Sequence, residues 1–154
     1  MKRRLFLMAG ALALIASQPA QAACVDGQTV SAARLNEFET MMMTVSLRCS
    51  RIGVNMRPTF DSMVEANRQR FEEASAKVQK FFSTGTAKAH GGAFDLYSTR
   101  IANKYGAGGT TPDTCRMFDA LGKELSRLVQ GGQILATVAE AMIRKPVIQD
   151  PTCP

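Results

Sequence analysis

From Leu35 to Cys49 the apolar residues Leu35, Phe38, Met42, Val45 and Cys49 fall three, four, three and four positions apart. Each helical residue turns about 100°, so that spacing places all five on one side of a helix. No stretch of the chain sustains the period-two alternation that a half-buried strand requires. The expected fold class is therefore all-α, with glycine and proline marking the breaks.

The helix carrying this stripe is predicted to start at Ser31 as N-cap, with Val30 and Leu35 as a hydrophobic staple, and to end near Gly53. A second helix is predicted from Pro58 or Thr59 to about Ser83, with Phe60, Met63, Asn67, Phe71, Ala74, Val78 and Phe81 along its inner stripe. Asn67 in that seam reads as a satisfied buried amide that fixes register more readily than as a ligand contact. A third is predicted over roughly Lys88 to Tyr105, with Phe94, Tyr97, Ile101 and Tyr105 facing inward; Gly91 and Gly92 weaken its first turn. Thr111, Pro112 and Asp113 form a strong start for a fourth, whose stripe is Cys115, Phe118, Leu121 or Gly122, Leu125 and Val129. Gly131–Gly132 then favours a break before Ile134, Leu135, Val138 and Met142. The sum is an up-down bundle of four or five helices.

The N-terminus adds a compartment. Lys2, Arg3 and Arg4 precede an apolar run from Leu5 to Ile15, and Ala20-Gln21-Ala22 has the small-x-small form of a signal-peptidase site. Residues 1–22 are expected to be a cleaved export signal and residues 23–154 one domain, periplasmic or secreted. The apolar run is shorter than the roughly 20 residues of a membrane span. Cys24 could instead be a lipidated residue, but Gln21 stands where lipoprotein sites carry an aliphatic side chain, so membrane contact is expected only if Cys24 is lipidated. The chain's net charge of +6 includes three basic residues and no acidic ones from that segment, which leaves a mature protein near +3. That is too weak a basic balance for nucleic-acid binding.

Four cysteines, Cys24, Cys49, Cys115 and Cys153, follow the signal. An even count in an exported chain points to two disulfides, and the wide spacing excludes CxxC redox and CxxCH haem motifs. In an up-down arrangement the end of the first helix and the start of the fourth share one end of the bundle. Cys49 with Cys115 and Cys24 with Cys153 is thus the preferred of the three pairings. The tail beyond Lys145 is expected to be extended and stapled by Cys153.

Sites for chemistry are scarce. His90 is the single histidine and has no nucleophile motif beside it. Glu72 and Glu73 are adjacent and diverge on a helix, while Asp95 and Arg100 flank the core residue Tyr97. The loop GAGGTTPD lacks the Gly-Lys-Ser/Thr ending of a phosphate cradle. A zinc site would need close ligand pairs and more histidine. Thioethers suit soft metals, yet Met41, Met42 and Met43 point about 100° apart on a helix and cannot converge on one ion unless Met56 and Met63 come near. No enzyme activity, cofactor or metal is expected.

What remains is interaction. In TMMMTVSLRC (residues 40–49), Met42 and Val45 face inward, whereas Met43 and Leu47 share the opposite side with Asn36, Thr40 and Thr44. A helix with no charge on that side can be a central element wrapped by the others. Alternatively Met43, Leu47 and Thr40 form an exposed docking face for an envelope partner or client.

SLRCSR (residues 46–51) and YSTRIANKYG (residues 97–106) resemble segments of small, uncharacterised, exported four-cysteine helical proteins of alphaproteobacteria. The resemblance spans about residues 38–105 and implies export and a helical fold, with no activity, cofactor or catalytic residue. The thioether-rich helical character is also similar in style to periplasmic stress chaperones, whose repeated motifs are missing here. The expected function is a non-catalytic envelope accessory or protein-interaction module, chaperone-like in one version. A small-ligand or metal-binding module is the alternative, and a lipid-anchored envelope component a third class.

Overall fold

A computed structural model describes residues 25–84, 92–128 and 132–148. Among the described residues are six helices and no sheet: α1 Gly27–Arg51, α2 Arg57–Ala66, α3 Arg68–Ser83, α4 Ala93–Gly106, α5 Pro112–Arg127 and α6 Gly132–Met142. The protein is an all-α bundle closed by a disulfide between Cys49 and Cys115. Cys24, Cys153 and His90 lie outside the described residues.

The first helix begins earlier than expected. Asp26, not Ser31, is its N-cap: one carboxylate oxygen accepts the Thr29 backbone N–H at 2.9 Å and the other accepts the Thr29 hydroxyl at 2.6 Å. An aspartate at this place satisfies a donor that the helix cannot, and its charge opposes the positive end of the dipole. Ser31 sits within the helix, its hydroxyl donating back to the Gly27 carbonyl at 3.0 Å. At the other end Gly53 has φ of +82°, which glycine adopts at no steric cost, and the chain turns there.

The second predicted helix is two. Asn67 leaves helical geometry (φ −119°, ψ 18°) and separates α2 from α3. Its side-chain amide donates to the Met63 carbonyl at 2.9 Å and across to the Leu125 carbonyl at 3.0 Å. Leu125 lies in the last turn of α5, where carbonyls have no partner within their own helix, so the break in one element completes the end of another. The amide is buried and satisfied, and the division raises the helix count above four or five. The described part of the next helix starts at Ala93 after Gly92 (φ +83°) instead of at Lys88; residues 88–91 lie outside the described set. Thr111 caps α5, its hydroxyl accepting the Thr114 N–H at 3.2 Å. Leu128 is no longer helical, so α5 and α6 are separate elements.

Helix α1 is the axis of the fold and touches all five others. Its two halves bury different faces. Ala32 and Ala33 pack with Ala74, Val78, Tyr97 and Ile101, with Phe82 and Phe94 at the edge. Phe38, Met41, Met42, Val45 and Cys49 pack with Met56, Met63, Phe71, Phe118, Leu125 and Leu135 in a larger cluster. Rotation of the buried side along one helix leaves most of its circumference covered somewhere, as a central element requires.

The two segments SLRCSR and YSTRIANKYG meet in space. The Arg48 guanidinium donates to the Tyr105 carbonyl at 2.9 Å and the Ala107 carbonyl at 2.8 Å, closing the C-terminus of α4 with a positive group. A cation there satisfies orphan acceptors and complements the helix dipole.

Candidate functional site

Of the face proposed from TMMMTVSLRC, Met43 is 39% exposed and Leu47 50% exposed, while Met41 and Met42 on either side of the wheel are core. Four residues apart, Met43 and Leu47 are stacked on one strip of α1. Thr40 is only half-buried, and its hydroxyl bonds back to the Asn36 carbonyl at 3.0 Å, so it contributes a methyl edge and no free donor. Thr44, placed on the same strip by the helical wheel, is buried instead. The strip is therefore narrow: two large apolar side chains, with Glu39 one turn before Met43 and Arg51 one turn after Leu47.

Met56 and Met63 do come into the cluster that holds Met41 and Met42, where all four pack among Phe38, Phe71 and Phe118. Among the described residues no group of three or more His, Cys, Asp or Glu side chains is placed to hold a metal ion. Glu72 and Glu73 diverge: Glu72 lines a groove with Glu39, Phe60, Asp61, Val64 and Phe71, and Glu73 borders a different one with Lys77 and Asp26. Burial alone raises the Glu39 carboxyl above its ordinary value.

The most organised polar centre was not anticipated from sequence. Glu37 on α1 has no exposed surface. One of its oxygens accepts the Lys104 ammonium at 2.6 Å and the Tyr105 hydroxyl at 2.7 Å, and the other accepts the Val147 backbone N–H at 2.7 Å. Three donors around one carboxylate meet the condition under which a buried charge is tolerable. The same geometry acts on the phenols. Burial, then donation to Glu37 and the nearness of its charge, push the Tyr105 hydroxyl well above the ordinary tyrosine range. Tyr97 is shifted the same way by burial first and by the charge of Glu37 second. Its hydroxyl approaches the Ala33 carbonyl at 3.4 Å.

Sequence reading missed Glu37 because an acidic residue in a helix reads as solvated. The available signal was its place in the row Glu37, Met41, Thr44, Arg48, spaced four, three and four, alongside the apolar stripe.

These elements define an all-α, disulfide-bonded helical bundle, and among its described residues no helix is long and apolar enough to cross a membrane. No protein-family model, curated protein or solved structure gives a significant match to the chain.

Proposed function

We propose that this protein is an exported, non-catalytic envelope accessory that works by protein contact, including chaperone-like contact with a client, through the Met43–Leu47 strip of α1. The observation that carries this reading is the pair's exposure on a helix whose neighbouring residues are core. Thioether and isobutyl side chains offer an adaptable apolar surface, suited to an apolar segment of another protein. Export rests on the N-terminal residues 1–22 and is supported by the Cys49–Cys115 disulfide, since such bonds persist in oxidising compartments.

The test pairs stability with capture. Met43→Asp with Leu47→Asp is expected to leave the fold intact and to remove a protein crosslinked to the wild type in intact cells. Unfolding of the double variant, or an unchanged set of crosslinked proteins, defeats the reading. Mass spectrometry of the mature N-terminus separates free Ala23 from lipidated Cys24.

The small-ligand alternative has one observation in its favour. The groove of about 530 Å³ between Glu39 and α2–α3 combines a floor of Phe60, Val64 and Phe71 with the carboxylates of Glu39 and Glu72, while Asp61 and Glu65 in the same wall are ion-paired to Arg57 and Arg68. A molecule with an apolar body and a cationic end fits that lining. Calorimetric titration with an alkylammonium salt, compared with the corresponding alcohol, tests it; equal or absent heats reject it.

A further inference from the structure

Beyond α6 the chain runs from Ile143 to Ile148 without helical structure, yet it is not loose. Val147 donates its backbone N–H to Glu37, and the Lys145 carbonyl accepts a second contact from the Lys104 ammonium at 3.3 Å. The side chains of Val147 and Ile148 lie on the cluster of Ala33, Val78, Tyr97 and Ile101. A short strap thus covers the smaller apolar core, and a single buried carboxylate joins it to α1 and α4.

We propose that Glu37 is an acid-sensitive latch: protonating its carboxylate releases the strap at Val147 and uncovers the apolar surface of the smaller cluster. A carboxylate offers two acceptor oxygens, and here both are used, one by Lys104 and Tyr105 and the other by Val147. A neutral carboxyl group keeps one carbonyl oxygen and turns the other into an O–H donor. The positive ammonium of Lys104 holds the carbonyl oxygen on its own side, so the proton resides on the oxygen facing Val147. An O–H then confronts an N–H, and that bond is lost. The titratable groups in contact with Glu37 or acting on it are Lys104, Tyr105 and Tyr97, all on α4. The strap brings only backbone to it, and among the described residues no other cation lies within ion-pair distance of Glu37.

The test uses the full mature chain, with amide hydrogen exchange read residue by residue through an acid series starting from neutral pH. Protection at Val147, corrected for intrinsic exchange rates, is expected to fall by roughly tenfold, the scale of one lost hydrogen bond. Amides of Met42 and Val45 in the larger core should keep theirs. A dye that fluoresces on apolar surfaces should bind over the same pH range. Unchanged protection at Val147, or protection lost only together with Met42 and Val45, overturns the proposal.

Two variants extend the test. Glu37→Gln imitates the neutral acid and is expected to bind dye already at neutral pH. Should that variant not fold, Val147→Pro removes the donor while leaving Glu37, Lys104 and Tyr105 in place. Val147→Pro is expected to bind dye at neutral pH with α1 still protected, and a dye-silent Val147→Pro rejects the latch.

Discussion

The side chain of Lys104 is 41% exposed, whereas that of Glu37, whose carboxylate its ammonium meets at 2.6 Å, has no surface at all. One end of the pair keeps its hydration while the other depends on protein donors. Removing the cation leaves Glu37 held by only a phenol and one amide. Breaking a fully buried pair costs about 3–5 kcal/mol. With half the pair wet, Lys104→Met is expected to cost less, about 1–3 kcal/mol, because water replaces part of what is removed. Urea denaturation at neutral pH measures this, and a cost below experimental error would show that Tyr105 and Val147 suffice.

The phenols give a pH dependence at the alkaline end. The chain has two tyrosines and no tryptophan, so near-ultraviolet titration reports Tyr97 and Tyr105 alone. Both are raised from the ordinary value of 10.0, chiefly by burial. Above pH 10 the folded state keeps protons that the unfolded chain releases, so stability falls as pH rises through that range and is intact below it. Native protein should show delayed ionisation against a denatured control. Tyr105→Phe should flatten the alkaline loss of stability, and an equally steep loss in that variant would place its source elsewhere.

The helical class, the cap at Thr111, the seam role of Asn67 and the stripe of α1 were all legible, because each depends on residues within a few positions of one another. What was not legible follows from long range or from competition. Glu37 meets donors whose sequence separations are 67, 68 and 110 residues, and no local pattern announces such partners. Asn67 was placed in the seam, yet its bond to Leu125, 58 residues away, is what favours a break over a continuous helix. At the N-terminus of α1 the cap is Asp26, five positions before Ser31. Asp26 won over Ser31 because Thr29 stands three residues after it and can meet both carboxylate oxygens.

The bond between Cys49 and Cys115 ties the end of α1 to the first turn of α5 across a sequence separation of 66, with Cα atoms 5.8 Å apart. Closing a loop of that length in the unfolded chain corresponds to about 4 kcal/mol of stabilisation in the chain-entropy description. Cys49→Ala with Cys115→Ala also leaves a gap in the larger core, since both sulfurs are buried. The double variant is therefore expected to lose at least about 3 kcal/mol in denaturant unfolding. A loss below about 1 kcal/mol would mean that the reduced chain stays nearly as restricted as the oxidised one.

At Gly122 helix α5 packs tightly against α2. A Cβ placed there would lie 2.8 Å from the Thr59 methyl carbon and 3.5 Å from the Met42 terminal methyl. Thr59 cannot easily turn aside, because its hydroxyl donates to Asp119 at 2.5 Å. Alanine gains about 1 kcal/mol of helix propensity over glycine, but overpacking costs about 1–3 kcal/mol. Gly122→Ala is expected to be net destabilising, and Gly122→Ala with Thr59→Ser to recover part of the loss. Asp119 adds a pH signature at the same contact: bonds from Lys123 first and Thr59 second hold its carboxyl below the ordinary value. Its contribution is present above the usual aspartate range and lost as pH falls through it. Asp119→Asn should therefore reduce the acid dependence of stability, which denaturation at neutral and acidic pH measures.

The strip of Met43 and Leu47 separates stability from interaction. Side chains 39% and 50% exposed are only partly withdrawn from water, so removing each forfeits about half of a full side-chain burial, roughly 1 kcal/mol, and an aspartate carboxylate at each place can still reach solvent. Each substitution sits near the middle of α1, where aspartate is a poorer helix former than methionine or leucine by about 0.5 kcal/mol. The double variant is thus expected to lose about 2–3 kcal/mol in all, comparable to one mild core truncation where such truncations cost about 2–5 kcal/mol each. Met42→Asp, one residue away and 1% exposed, should by contrast prevent folding. Thermal unfolding of the two variants side by side gives the comparison. Equal damage from both would place Met43 and Leu47 in a core shared with another chain or with residues outside those described, and the strip would then be an interior surface.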